Sequence, residues 1–186
     1  MSVNIQKAAL RKHLLEKRDA TSAELRDILS GKIHQNLKKI SSYTNSQNVA
    51  CYFPIGSEID THNIMLDMLE QDKNLLLPRI VNNNLEFCIV PNLEKLEKGS
   101  FEIMEPRDSC KKAEKINCVL IPTVGVSKSG VRLGYGKGYY DRFLSSTDAV
   151  KISLTYSKQI VKSIPSDSHD IKIDWIVNED ENVKIS

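Results

Sequence analysis

Apolar residues recur every three or four positions through the first forty residues, then gather into short runs separated by polar and glycine-bearing stretches. The first pattern predicts helices. One covers residues 4–19, and a second carries the stripe Leu25, Ile28, Leu29, Ile33, Leu37 and Ile40. Between them Thr21-Ser-Ala-Glu24 has the form of a capping box, in which a hydroxyl and a carboxylate satisfy each other's backbone donors. Residues 48–53 read as a strand halted by Pro54, and Asp60 or Thr61 caps a third helix through Leu69. Residues 75–77 and 85–90 read as strands joined by the turn Asn82-Asn-Asn84. Residues 118–121, apolar throughout, are the candidate central strand; a helix starts at Tyr139, and 150–155 and 171–177 are further strands. The tail from Asn178 is expected to fray.

Strands alternating with helices imply an α/β domain with helices on both faces of the sheet, and the 186 residues suit one domain, 1–186, with no repeat or linker. In such sheets ligands sit beyond the carboxyl ends of the strands. A net charge of +2 gives no general case for a nucleic-acid or membrane partner. The first eighteen residues are basic, as in an organellar leader. They are poor in Ser and lack a cleavage site, so they read as a structural helix. Cys51, Cys88, Cys110 and Cys118 form no metal-ligand spacing, and a reducing cytoplasm fits them best.

The informative segment is residues 125–142. It holds five of the eight glycines and three of the six tyrosines, with Lys128, Arg132, Lys137 and Arg142 against one acid, Asp141. Closely spaced glycines let backbone N–H groups approach an anion, so the segment reads as a phosphate site. It is neither a P-loop, since Gly138 follows Lys137, nor a dinucleotide fingerprint, since Tyr139 stands where the third glycine belongs.

Arg132-Leu-Gly-Tyr-Gly-Lys-Gly-Tyr-Tyr-Asp-Arg142 resembles the signature of the 5-formyltetrahydrofolate cyclo-ligase family. Other elements follow in that family's order: Lys7-x-x-x-Arg11, Tyr52-x-Pro54, Glu58-Ile-Asp-Thr61, Leu77-Pro78, Glu105-Pro106, Ile121-Pro122 and His169-Asp170. The chain departs from the pattern at Asn117, where the family often has Asp, and at Val126-Ser127, where it often has Phe-Asp. The resemblance implies a three-layer α/β/α fold with a mostly parallel sheet, like that of the sugar-phosphate isomerase and CoA-transferase group. It also implies a cytoplasmic, monomeric ligase that cyclises 5-formyltetrahydrofolate with ATP and Mg²⁺.

By the same resemblance Lys7 and Arg11, together on one helix face, bind ATP phosphates; a solvated surface is their bland alternative. Arg132, Leu133, Gly134, Tyr135, Gly136, Lys137, Gly138, Tyr139 and Tyr140 form the nucleotide loop. Arg132, Lys137 and Tyr139 act at the transferring phosphoryl, and Tyr135 and Tyr139 also border the folate. The two tyrosines Tyr139 and Tyr140 serve otherwise as packing. Glu58 takes donors of the pterin or caps the next helix, and Tyr52 and Phe53 form an apolar wall or plain core. Asp141 and Asp170 are the magnesium positions. Their alternatives are a salt bridge to Arg142 or a helix cap for Asp141, and a loop acid for Asp170. Two other functions compete: a triphosphate hydrolase on the same scaffold, and a non-catalytic folate-binding module.

Overall fold

In the computed structural model, which describes residues 2–99, 103–166 and 170–185, the chain opens with helices α1 (Val3–Asp19), α2 (Ala23–Leu37) and the short α3 (Ser41–Thr44). Strand β1 (Asn48–Ala50), helix α4 (His62–Glu70) and the hairpin β2 (Asn74–Val81) and β3 (Asn84–Ile89) follow. Then come β4 (Leu96–Lys98), β5 (Met104–Pro106), β6 (Cys118–Pro122), β7 (Gly125–Ser127), β8 (Arg132–Leu133) and helix α5 (Tyr139–Leu144). The chain ends through β9 (Val150–Leu154), β10 (Ile160–Val161), β11 (Trp175–Val177) and β12 (Asn182–Lys184). His169 of the His169-Asp170 pair lies outside the described residues.

Seven strands form the main sheet in the order β12-β11-β9-β6-β1-β2-β3. The inner five run parallel, and β3 and β12 close the two edges antiparallel. This is the expected mixed α/β architecture with a mostly parallel sheet. Side chains of the inner strands alternate between two buried layers, as period two demands. Val49, Leu75, Leu77, Cys118 and Leu120 meet Ile33 and Leu37 of α2 and Met65 and Met68 of α4. Ala50, Leu76, Val119 and Ile121 face the other way, toward Leu144 of α5. A third cluster joins Leu14 of α1 to Val131 and Leu133 beside the small sheet β10-β7-β8.

Two strands are shorter than read, β1 ending at Ala50 rather than Phe53 and β11 starting at Trp175 rather than Ile171. Four further details depart from the sequence reading, each through tertiary contacts. The cap of α2 is Ser22, whose hydroxyl accepts from the Leu25 N–H; Thr21 is buried and meets Lys158 instead, so the capping box does not form. Leu25 and Ile28 are 45% and 52% exposed, because only the Ile33 and Leu37 end of α2 reaches the sheet. Strand β2 runs on through Pro78: β1 has already ended there, so the missing proline N–H robs no ladder partner, and two residues on Glu105 takes the Ile80 N–H. The tail does not fray but pairs as β12, with Val183 opposite Ile176.

The hairpin turn is as read. Asn82 and Asn83 both adopt positive φ, the combination a two-residue turn requires and asparagine tolerates. Ile33→Ala should lower the unfolding free energy by about 2–5 kcal/mol, while Ile28→Gln should change it by no more than about 0.5 kcal/mol. Chemical denaturation of both variants checks this.

Candidate functional site

From β1 the chain steps to β2 on one side and later returns to β6 on the other, so the order reverses between β1 and β6. Loops leaving neighbouring parallel strands diverge at such a point and open a crevice at their carboxyl ends. A cavity of about 330 Å³ occupies it. Tyr52, Phe53 and Glu58 enter from the segment after β1, Pro78 and Ile80 from the end of β2, and Pro122 from the end of β6. Arg132 and every residue from Gly134 to Asp141 line it as well, and Leu85 of β3 and Met104 and Glu105 of β5 add to the wall.

The glycine segment is a strand followed by a loop, because Arg132 and Leu133 pair with Val126 and Gly125 in the small sheet. Leu133 therefore turns into the cluster with Leu14, away from the cavity. Arg132 is buried. Its Nη2 donates to Asp141 Oδ1 at 2.9 Å, its Nη1 reaches the Pro122 carbonyl at 3.4 Å, and its guanidinium lies 5.7 Å from the Tyr140 ring centre. Gly134 allows this: a Cβ there would stand 2.5 Å from Arg132 Nη1. Gly136 has φ +91°, and a Cβ would meet the Arg11 guanidinium at 3.1 Å. Asp141 thus pairs with Arg132 rather than Arg142. The latter donates to the carbonyls of Lys137 and Asn83 and lies over Tyr139, fastening the loop to the hairpin tip.

Helix α1 covers the loop from outside. Arg11 Nε donates to the Gly134 carbonyl at 2.7 Å, and Lys7 Nζ holds both oxygens of Asp170 at 2.8 and 2.6 Å. Lys7, Arg11 and Asp170 lie beside the cavity rather than in its wall, whereas Lys137 is exposed at its rim. Each acid of the expected metal pair therefore faces a cation that a phosphate would attract.

At the other end, Glu58 Oε2 accepts the Ile55 N–H at 2.9 Å, while its Oε1 is buried without a partner. Burial pushes the Glu58 carboxyl above its ordinary range, although the Ile55 N–H, the Arg18 charge and the Tyr135 hydroxyl each pull it back. The cap of α4 is Thr61 by position, but its hydroxyl donates to the Tyr52 carbonyl, and Glu58 takes no part in capping. Burial first, and then the Glu58 charge, raise the Tyr135 hydroxyl to about 12. Tyr52 and Tyr140 are also held protonated by burial. Phe53 stacks edge-on against His62, with ring centres 4.8 Å apart.

Sequence reasoning missed Arg18, Ile80, Leu85 and Glu105 as parts of the site or its support. Arg18 is buried and donates from Nη2 to the Tyr135 hydroxyl at 2.6 Å. The spacing Lys7, Arg11, Leu14, Arg18 puts all four on one face of α1, which was the available signal. The departures from the family pattern lie apart from the cavity wall. Asn117 bonds the Asn48 N–H at the amino ends of β6 and β1, and Ser127 closes the turn before Val131.

A family model described as the 5-formyltetrahydrofolate cyclo-ligase family matches residues 3–179. The 5-formyltetrahydrofolate cyclo-ligase of Mus musculus is 30% identical over 97% of both chains. That of Mycoplasma pneumoniae is 31% identical over 95% of this chain and 100% of its own. The NMR structure of Aquifex aeolicus 5,10-methenyltetrahydrofolate synthetase superposes with a TM-score of 0.88 at 35% identity, covering 96% of this chain and 92% of that one. The Mycoplasma pneumoniae 5,10-methenyltetrahydrofolate synthetase structure gives 0.77 at 28% identity, covering 94% and 99%. With the family model spanning nearly the whole chain and these relatives matched end to end, the chain belongs to the 5-formyltetrahydrofolate cyclo-ligase family.

Proposed function

We propose that the protein cyclises 5-formyltetrahydrofolate to 5,10-methenyltetrahydrofolate with ATP, releasing ADP and phosphate. One observation carries the reading. Among the described residues, four of the eight buried polar side-chain atoms without a partner belong to the cavity wall or to a side chain bonded to it: Arg18 Nη1, Glu58 Oε1, Arg132 Nε and Tyr140 OH. Buried polar atoms are rarely left unpaired, and their concentration around one apolar crevice is the mark of a ligand site.

The two ends of the crevice suit the two reactants. Tyr52, Phe53 and Ile80 offer an apolar wall for a flat ring, with Glu58 to accept its N–H groups. Arg132, Lys137 and the glycine backbone face the other reactant, with Arg11 and Lys7 alongside. The formyl oxygen is a poor leaving group at neutral pH. Transfer of the γ-phosphoryl of ATP onto it converts it into a good one; N10 then attacks the formyl carbon and gives up its proton to water, and phosphate departs with the oxygen. No side-chain nucleophile is required, so positioning and charge neutralisation are the protein's share.

Among the described residues no group of three or more His, Cys, Asp or Glu gathers to hold a metal. Mg²⁺ fits here all the same, because it is commonly held by one or two carboxylates with phosphate and water oxygens completing the shell. Asp141 lines the cavity and is 34% exposed at its side chain, with one oxygen on Arg132; Asp170 is the second candidate. When bound, the ion would neutralise charge on the phosphate oxygens. Asp141→Asn should lower turnover and raise the Mg²⁺ concentration needed for half-maximal rate. Turnover and metal titration equal to those of the unaltered protein would refute the metal role.

The four free cysteines, all buried, suit a reducing cytoplasm. Among the described residues no helix is long and apolar enough to cross a membrane. Mixing 5-formyltetrahydrofolate with Mg-ATP should generate the strong near-ultraviolet absorbance of the methenyl product. Triphosphate hydrolysis without that absorbance would point to a hydrolase, and folate binding without turnover to a binding module.

A further inference from the structure

A loop with three glycines in five residues, Gly134 to Gly138, has little conformational preference of its own, so its shape comes from what grips it. Three arginines do so. Arg11 holds the Gly134 carbonyl, Arg142 holds the Lys137 carbonyl, and between them Arg18 holds the Tyr135 hydroxyl. The first two hold backbone carbonyls, and Arg142 also lies over the Tyr139 ring. Arg18 holds a side-chain hydroxyl, that of Tyr135, which lines the cavity in which Glu58 stands.

Arg18 also reaches the loop that carries Glu58. Its Nε donates to Ser57 Oγ at 2.8 Å, and Ser57 in turn donates to Asp19, the next residue of α1. One planar side chain therefore ties together three segments far apart in sequence: the end of α1, the loop after β1 and the glycine loop. A guanidinium can do this because its donors point in fixed directions; an ammonium on a flexible stem has no such fork.

We propose that Arg18 is a positioning residue for the folate half of the reaction, holding Tyr135 and the Glu58 loop in register and keeping Glu58 available as an acceptor. The inference rests on the cyclo-ligase reading given above. Glu58 has Tyr52, Tyr135 and Tyr140 around it, all neutral at working pH, so Arg18 is the cation that favours its ionised form. Loss of that charge moves the Glu58 carboxyl further up, because burial already disfavours its ionisation. Folate affinity would then begin to fail at a higher pH than in the unaltered protein. Arg11 and Arg142 still hold the loop backbone, so nucleotide binding changes little.

The test is the pH dependence of kcat/KM for 5-formyltetrahydrofolate and the KM for Mg-ATP in the unaltered protein, Arg18→Gln and Arg18→Lys. Arg18→Gln should raise the folate KM roughly tenfold, with the ATP KM within about twofold, and move the acid limb to higher pH. Arg18→Lys restores the charge but not the fork, so it should return the acid limb to its original place while the folate KM stays raised. An acid limb that does not move in Arg18→Gln, or equal rises in both KM values, overturns the proposal. If thermal melting finds Arg18→Gln unfolded, Arg18→Lys decides alone. A raised folate KM with the limb in place supports the proposal, and a displaced limb or matched rises in both KM values overturns it. Absence of any methenyl product with the unaltered protein would instead sink the cyclo-ligase reading itself.

Discussion

Arg132→Gln is expected to lower kcat by about 10²–10³-fold while leaving the folate KM nearly unchanged, the size of loss typical when a fixed donor to developing charge is removed. Arg132 is buried, tied to Asp141 and to the Pro122 carbonyl, and seated against the bare Gly134 backbone. Its charge is thus held in place before any reactant arrives, and little reorganisation remains when a phosphoryl group transfers. Glutamine keeps much of the packing but neither the charge nor the fork. Steady-state absorbance assays measure the loss, and thermal melting separates it from unfolding. A fall of less than tenfold would reduce Arg132 to an ion-pair partner of Asp141. Asp141→Asn with Arg132 intact supplies the comparison.

Glu58→Gln is expected to raise the folate KM roughly 10- to 100-fold, since a charge-assisted hydrogen bond in a buried site is exchanged for a neutral one. Stability should move the other way. Burial raises the Glu58 carboxyl, so the folded chain keeps that proton to higher pH than the unfolded chain does. Above the ordinary carboxylate range the folded state therefore holds more protons, and unfolding free energy declines as pH rises through the raised value. The stabilisation is present at low pH and lost at high pH. Glutamine has no such titration, so in ligand-free melts the variant should gain on the parent protein as pH climbs across that window. Parallel curves would mean that the carboxylate is fully compensated by Arg18 and the Ile55 N–H.

These two variants, one at each end of the cavity, differ in how visible their residues were beforehand. The glycine segment could be read directly because its meaning is local: glycines at close spacing with Arg, Lys and Asp between them are informative wherever they fold. The strand 118–121 was equally plain, being apolar on both faces. Glu58 was nominated by resemblance alone, because a glutamate three residues before a helix cap is ordinary by composition. Arg18 was marked only by sharing a face of α1 with Lys7 and Arg11; its partner Tyr135 stands 117 residues away.

Local pattern in the chain was enough to establish helices, strands and a glycine loop set with basic residues, because each depends on neighbours within a few residues. Only folding decided that Leu25 and Ile28 would remain outside, that the tail would pair with β11, and that Asp141 would face Arg132 instead of Arg142. It also brought α1 across the loop and placed the crevice between β1 and β6. Those outcomes depend on which segments share a surface, and strand order determines that. A local pattern states what a residue can bury or bind, but not which distant residue will meet it.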